Sequence, residues 1–457
     1  MKLYNTLTRQ IDEFKPQNPP EVTIYTCGPT VYDYMHIVNW FTFIRYDILM
    51  RTLLAEGFKP TWVMNITDVG HLTSDADSGE DKLAAKAKRE GKTAWEIASL
   101  YTKYFEDGLK KLNFITPNYM PKATANIPEQ ISFIQTLEAK GYTYQINDGI
   151  YYDTSKFPRY RDFANLELDE IQPGARVEYN PQKRNASDFA LWKFSPKNVK
   201  RDMEWDSPWG KGFPGWHIEC SAMCLKYLGP TLDIHSGGID HIPVHHTNEI
   251  AQSEALTEQP LARFWVHTNH ILINNVKISK SLGNTITLED LADKGYSPET
   301  LRLLVLESHY RSQSKFSWNS LASAQARLLR YKNFAVRRFQ LSGSDQLTPP
   351  KLSSYLANDL NTPEALAELE AWFDLAESKT LQLRSIEKAI SLMDQLLGLN
   401  LAGVEDIPGT TKDLIAKREQ ARKQQKWDLA DALRNDLQNA GIVVLDTPNG
   451  PIWQYLN

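Results

Sequence analysis

Cysteine is scarce. The 457 residues hold three, Cys27, Cys220 and Cys224. An odd, sparse set in a chain this long excludes a disulfide-stapled scaffold and leaves metal binding or a free thiol as the better expectation. Long apolar runs are missing too. None approaches the roughly 20 residues needed to span a bilayer. The first stretch, "MKLYNTLTRQIDEFKP", has no apolar core of signal-peptide length. A cytoplasmic protein with no membrane contact is expected. Basic excess is also lacking: 51 Lys+Arg against 56 Asp+Glu give a net charge of −5, so a nucleic-acid partner would have to be met by a local patch. There is no internal repeat and no low-complexity tract. What remains is a globular composition, 42% hydrophobic and 23% charged. The length suggests roughly two to four domains.

The chain opens as a βαβ unit. "EVTIYTC" (21–27) reads as a strand. A helix follows from about Asn39 to Glu56, with Phe43, Tyr46, Ile48, Leu49 and Leu53 at helical spacing, and Gly57 stops it. "TWVMNIT" (61–67) is the next strand, so a parallel sheet covered by helices is expected. One long helical stretch is predicted over 82–113, after a polar turn-rich segment at 68–81. Residues 115–210 look like an insertion, with a helix near 127–140 and hairpin-like pieces such as "YTYQINDGIYYDTS". "TLDIHSGG" (231–238) is a second strand ending in glycines, followed by a helix near 246–257 and strand pieces in "ARFWVHTNHILINN". From about 287 the chain turns helical, with a linker at 342–354 and a helical pair at 411–440 before "GIVVLDTPNGPIW".

Two short stretches carry chemistry. His36 and Asn39 sit where the first strand hands over to the first helix, the place where α/β proteins bind ligands. A helix N-terminus suits phosphate, and an imidazole and an amide beside it add donors for developing charge. "KISKSLGN" (277–284) is a polar loop whose Lys277 and Lys280 could act as point charges on a triphosphate.

"HIVN" and "KISKS" resemble the HIGH and KMSKS signatures of the class I aminoacyl-tRNA synthetases. "YTCGPTVYDYMHI", "NITD", "PGWHIECSAM", "LDIHSGGIDHIPVHHTNEIAQS" and "KISKSLGNTIT" narrow the resemblance to the cysteinyl-tRNA synthetases, nearly end to end from "YNTLTR" to "GIVVLDTPNGPIW". The resemblance implies a Rossmann-type parallel-sheet catalytic domain with an α+β insertion, then an α-helical bundle and a small C-terminal module. The expected boundaries are 1–114 and 206–286 for the catalytic halves, 115–205 for the insertion, 287–335 for a connecting helical segment, 336–402 for the bundle and 403–457 for the anticodon-side module.

It also implies the reaction. ATP with Mg²⁺ and L-cysteine would give cysteinyl-adenylate, and the cysteinyl group would then pass to tRNA(Cys), with a monomer as the working unit. His36, Asn39, Lys277 and Lys280 would steady the phosphates, and Gly28, Gly237, Gly238 and Asp240 would face the nucleotide. Thr30, Thr67 and Trp216 match positions lining the amino-acid pocket; core packing is the plainer alternative for Trp216.

Four residues fit a zinc site: Cys27, Cys220, and His245 with Glu249, four apart on a predicted helix. Their spacing alone would not establish it, because the segments lie far apart, but the resemblance places one Zn²⁺ at these positions. Such an ion would bind the substrate thiolate and so separate cysteine from serine, near-isosteres that pocket contacts distinguish poorly. Cys224, His241 and His246 are close alternatives. The resemblance assigns Cys224 to packing.

The sequence departs from the family at Val38, where the HIGH signature has glycine, and in "NWFTF" and "NITDVGHL". A β-branched side chain there could crowd the nucleotide. In 417–426, "KREQARKQQK", five basic residues and one acid offer a patch for an RNA backbone, with Trp427 beside it to stack on a base or to pack. Two other readings stay open. One is a cysteine–amino-sugar ligase, against which residues 400–457 argue. The other is a non-catalytic RNA- or nucleotide-binding paralogue, against which His36, Lys277 and Lys280 argue.

Overall fold

The computed structural model describes residues 1–71, 81–164, 180–196, 201–273, 285–340, 343–379, 381–447 and 450–456. A hairpin of β1 (Lys2–Asn5) and β2 (Gln10–Glu13) precedes the βαβ unit β3 (Glu21–Thr26), α1 (Ile37–Ala55) and β4 (Lys59–Met64). The stretch 82–113 is two helices, α2 (Lys82–Glu90) and α3 (Ala94–Lys111). Gly91 ends the first in the left-handed region at φ 64°, and Thr93 caps the second by exchanging hydrogen bonds with Glu96. Helical periodicity runs through this break, which is why the sequence reads as one helix.

The segment between β4 and the next sheet strand holds α4 (Ile127–Ala139) and an antiparallel sheet of β5 (Thr143–Ile146), β6 (Gly149–Tyr152), β7 (Phe189–Phe194) and β8 (Gly212–Pro214). Then come α5 (Trp216–Leu228), β9 (Leu232–Gly238), α6 (Thr247–Thr257), β10 (Ala262–Thr268) and β11 (Ile271–Ile273). The main sheet is wholly parallel with order β10-β9-β3-β4. From β3 the chain winds outward to β4, and β9 and β10 fill the other side. The switch point therefore lies between the C-terminal ends of β3 and β9, where an open α/β sheet forms its ligand crevice.

The helical half comprises α7 (Leu288–Asp293), α8 (Pro298–Leu306), a short β12 (Ser314–Phe316) paired in parallel with β11, α9 (Trp318–Ala335), α10 (Leu352–Leu356), α11 (Thr362–Glu377) and α12 (Leu383–Leu397). The chain ends in α13 (Gly409–Lys423), α14 (Trp427–Asn439) and the antiparallel pair β13 (Ile442–Thr447) and β14 (Gly450–Tyr455). Among the described residues no helix is long and apolar enough to cross a membrane.

One continuous apolar core runs from Leu3 to Leu401, so sheet and helical half are packed as one body about α1. Most of α1 is buried, on several faces. Trp40 stacks on Phe105 of α3 at 5.5 Å, and Gly108 makes room, since a Cβ there would lie 2.4 Å from the indole. On the other side, Asp47 of α1 accepts from the Arg51 Nε (2.6 Å), from Arg302 of α8 and from the Ile115 N–H (2.8 Å). Arg302 also donates to the carbonyls of Leu397 and Leu112. Arg51 reaches the carbonyls of Asp394, Gln395 and Asn113. This buried charge cluster pins the helix that starts at His36 to the end of α12.

Candidate active site and metal centre

At the switch point the ends of β3 and β9 meet. The Cys27 N–H donates to the Ser236 carbonyl at 3.0 Å, continuing the ladder one residue past β3. The next residue has to be glycine: a Cβ at Gly28 would sit 1.7 Å from the Asn65 carbonyl oxygen, and its N–H donates to Asn65 Oδ1 at 2.8 Å. Beyond it, Thr30 and Thr67 form a parallel bridge. A cavity of about 310 Å³ opens here. Cys27, Gly28, Thr30, His36, Asn39, Thr67, Trp216, Cys220, Gly238, Asp240 and His245 all line it.

Two of the expected site residues, Gly237 and Glu249, stand outside the cavity wall. Gly237 is absent from the cavity wall; its Cβ position is filled by the imidazoles of His246 (2.4 Å) and His241 (2.8 Å). Glu249 is buried behind the wall. Lys277 and Lys280 lie outside the described residues. The segment that carries them is flanked by described residues beside the cavity: Ile271 lines it, and the Ile286 carbonyl accepts from the Ile37 N–H at 2.8 Å.

That last bond changes the reading of the helix start. The Ile37 N–H is taken by Ile286, and the Asn39 N–H by the His36 carbonyl. The first turn of α1 therefore offers fewer open donors than an isolated helix terminus. Asn39 has a local role as well, because its Oδ1 accepts from the His36 N–H at 3.2 Å and squares the helix entry. Val38 lines the cavity and packs against the core. Val38→Gly should leave turnover intact or raise it, while lowering stability by about 0.5 kcal/mol or more through the weaker helix propensity of glycine and the lost core contact. Parallel ATP titrations and thermal melts check this; a large loss of kcat would show that the pocket is built around valine.

The four proposed metal ligands come from three elements. Cys27 follows β3. Cys220 lies one turn into α5. Glu249 is on α6, and His245 lies in the π-helical turn Ile242–His246 that precedes it, a local widening common at functional sites. One donor atom from each lies within 4.8 Å of every other, and all four residues are buried. His245 Nε2 and Glu249 Oε1 are 2.7 Å apart, yet that oxygen has no hydrogen-bond partner of acceptable geometry.

The electrostatics agree with a cation there. A hydrogen bond with Cys27 draws the Cys220 thiol down to about 7, against the effect of burial. Burial and the neighbouring Cys220 push Cys27 up. Burial alone would lower His245, but Glu249 and Cys220 outweigh it and hold the imidazole at about 10. Glu249 is kept well below the usual carboxylate range by His235 and His245, although burial works against its charge. These four side chains are thus gathered in a dry site, where charge on them needs compensation that a divalent ion would supply. Two thiols, an imidazole and a carboxylate are a fitting donor set for zinc.

The structure also shows partners that sequence reasoning missed. The Thr67 hydroxyl donates to Glu219 Oε2 (3.1 Å) and accepts from Asn65 Nδ2 (3.0 Å), and His71 Nε2 meets Glu219 Oε1 at 2.6 Å. Glu219 is fully buried, and burial pushes its carboxyl up. The signal was a lone acid in the apolar run of "WHIECSAMCL". His246, named from the sequence as an alternative, is buried beside the four ligands with His217 and His267, which were not, and burial holds all three well below the usual imidazole range. Trp216 is half-buried, its ring 4.4 Å from that of His245, so it serves the wall and not the core. Cys224 is fully buried and belongs to neither of the two donor groups within 4.8 Å.

The basic run is divided. Arg418 is buried and paired with Asp446 of β13 at 2.8 and 2.9 Å, and Arg422 joins the same carboxylate. Lys417, Lys423 and Lys426 remain exposed, and Trp427 is 58% exposed.

Comparison with known proteins identifies the family. Residues 13–326 match the family described as tRNA synthetases class I (C) catalytic domain, and residues 404–453 match the Cysteinyl-tRNA ligase anticodon binding domain. The chain is 41% identical to a cysteine–tRNA ligase of Treponema denticola, covering 100% of both chains, and 43% identical to cysteine–tRNA ligase 1 of Burkholderia lata, covering 98% of this chain and 96% of that one. Its fold is similar to Mycobacterium tuberculosis methionyl-tRNA synthetase bound by methionyl-adenylate (TM-score 0.59, 12% identity, 85% and 93% coverage). It is also similar to the LeuRS–tRNA–LeuAMS complex of Agrobacterium radiobacter K84 (TM-score 0.60, 11% identity, 86% of each chain). A thiol-bearing cleft at the switch point of a parallel sheet, a catalytic-domain match spanning most of the chain and full-length relatives near 40% identity lead to one assignment: the chain belongs to the cysteinyl-tRNA synthetases of class I.

Proposed function

We propose that the protein joins L-cysteine to tRNA(Cys) in two steps within this cleft. The cysteine carboxylate attacks the α-phosphorus of Mg²⁺-bound ATP, a P–O bond breaks and pyrophosphate leaves. The tRNA 3′-terminal ribose hydroxyl then attacks the carbonyl of the cysteinyl-adenylate, and AMP departs. The observation that carries this reading is the shared wall: the Cys27, Cys220 and His245 donors face the same cavity as His36 and Asn39. A substrate cysteine with its sulfur at the donors thus has its carboxylate directed toward the phosphate end.

His36 sits at the start of α1, where an imidazole can stabilise charge building on the α-phosphoryl group. Lys277 and Lys280 are assigned the β- and γ-phosphates from their place in the sequence. Asp240, exposed at the cavity edge and in reach of solvent, is suited to ribose hydroxyls. Zinc held by Cys27, Cys220, His245 and Glu249 would supply a soft Lewis acid that prefers thiolate sulfur to a serine hydroxyl. Thr67 and Trp216 shape the pocket around the amino acid, Thr67 held in place by Glu219 and Asn65. At the far end Lys417, Lys423, Lys426 and exposed Trp427 would meet the anticodon arm, by charge and stacking.

The test is ATP–pyrophosphate exchange on the zinc-loaded protein, with cysteine and with serine, followed by charging of tRNA(Cys). Exchange with cysteine alone and transfer to the tRNA are expected. Stripping the metal with a chelator should abolish cysteine-dependent exchange, and added zinc should restore it. Equal exchange with serine, or none with zinc bound and the protein folded, would defeat the reading.

A further inference from the structure

Behind the cavity-facing donors lies a second group. Cys27, His235, His246 and Glu249 also place one donor atom each within 4.8 Å of one another, and all four are buried. The two groups share Cys27 and Glu249 and divide the remaining ligands between them.

Each oxygen of the Glu249 carboxylate serves one group. Oε1 faces His245 Nε2 at 2.7 Å, and Oε2 faces His235 Nε2 at 2.8 Å. The Cys27 Sγ lies 3.3 Å from His246 Nε2. The His246 ring is fixed from behind, since its Nδ1 pairs with His267 Nε2 at 2.7 Å and His267 Nδ1 with Thr6 Oγ1 at 2.7 Å. An imidazole oriented through its far nitrogen is the usual support of a metal-binding histidine. His235 is held flat against Trp265, with ring centroids 4.5 Å apart.

We propose a second divalent-metal position of the zinc or cobalt class, made by Cys27, His235, His246 and Glu249, which competes with the cavity-facing position for a single ion. One thiolate, two imidazoles and a carboxylate satisfy a four-coordinate ion of this class. The positions exclude each other because they share two ligands. Two dications would bring four positive charges against at most three anions, Cys27, Cys220 and Glu249, in a dry interior. The inner position lies away from substrate: Cys27 lines the cavity, whereas His235, His246 and Glu249 do not. An ion held there is withdrawn from the wall that receives the thiol.

This inference rests on the cavity-facing group being a metal site, and the experiment keeps the two claims apart. Cobalt(II) is titrated into the apo form of the full chain, wild type and the double variant Cys220→Ala/His245→Gln, with absorption read in the d–d and sulfur charge-transfer regions. The double variant leaves the outer group two ligands and the inner group all four. It should bind about one ion per chain, with the charge-transfer absorption of one thiolate instead of two. Adding His246→Gln should then abolish binding. A folded double variant that takes up no cobalt, beside a wild type that does, overturns the inner position alone. A wild type that binds none defeats the cavity-facing site itself. Should the double variant not fold, cadmium-113 resonances of the wild type at substoichiometric loading decide: a one-thiolate signal beside a two-thiolate signal supports the proposal, and a two-thiolate signal alone overturns it.

Discussion

Replacing Cys27 by serine is expected to remove metal and cysteine activation together. Cys27 is common to both donor groups, so its loss leaves no complete alternative set. A hydroxyl is a poor exchange for a thiolate at a zinc-class ion. Loss of an outer partner alone weakens metal sites by about 10–100-fold, so loss of a direct ligand should exceed about 100-fold in affinity, with a parallel fall in cysteine-dependent pyrophosphate exchange. The fold should persist, because Cys27 sits at the end of a paired strand whose backbone bond to Ser236 does not involve the side chain. Metal analysis beside circular dichroism checks this. Full zinc stoichiometry in a folded Cys27→Ser protein would sink the four-ligand assignment.

Asp47→Asn should be the largest stability change outside the cleft. Asp47 and Arg302 are fully buried and Arg51 is nearly so. Removing the one anion leaves two guanidinium groups without a counter-charge in the core. Breaking a buried pair from one side costs about 3–5 kcal/mol. In a chain of several units the loss is best read as a shift of the first unfolding transition and not as a single two-state free energy. Because the cluster ties α1 to the end of α12, activity should fall at temperatures below global unfolding, as His36 loses its fixed position. A change under about 1 kcal/mol, below the range for breaking such a pair, would show that water reaches the cluster. The double variant Asp47→Leu/Arg302→Met should recover only part of the loss, since Arg51 stays buried without its counter-charge and the Ile115 N–H without its acceptor.

Much of this was legible in one dimension. Alternation and helical spacing mark β3, α1 and β9, since each element's apolar face has its own period. The strand-to-helix handover at Cys27–His36 locates the crevice, because parallel sheets bind ligands at strand ends. Local backbone chemistry was harder to see. The break at Gly91 and Thr93 interrupts an apolar pattern that continues across it, and the π-helical turn at His245 leaves no mark on periodicity.

The sequence by itself determined which donors exist, that two thiols, an imidazole and a carboxylate were available in three distant segments, and that an HIVN turn stood at a strand end. Only the tertiary structure decided that their atoms converge within 4.8 Å, because convergence depends on which strands neighbour one another, and strand order is not a local property. It likewise decided that Trp216 lines the cavity, that two arginines of the basic run are taken up by Asp446, and that Glu249 turns one oxygen to each of two histidines. Each of these outcomes depends on a partner far along the chain, and burial and charge pairing act through space, blind to distance in sequence.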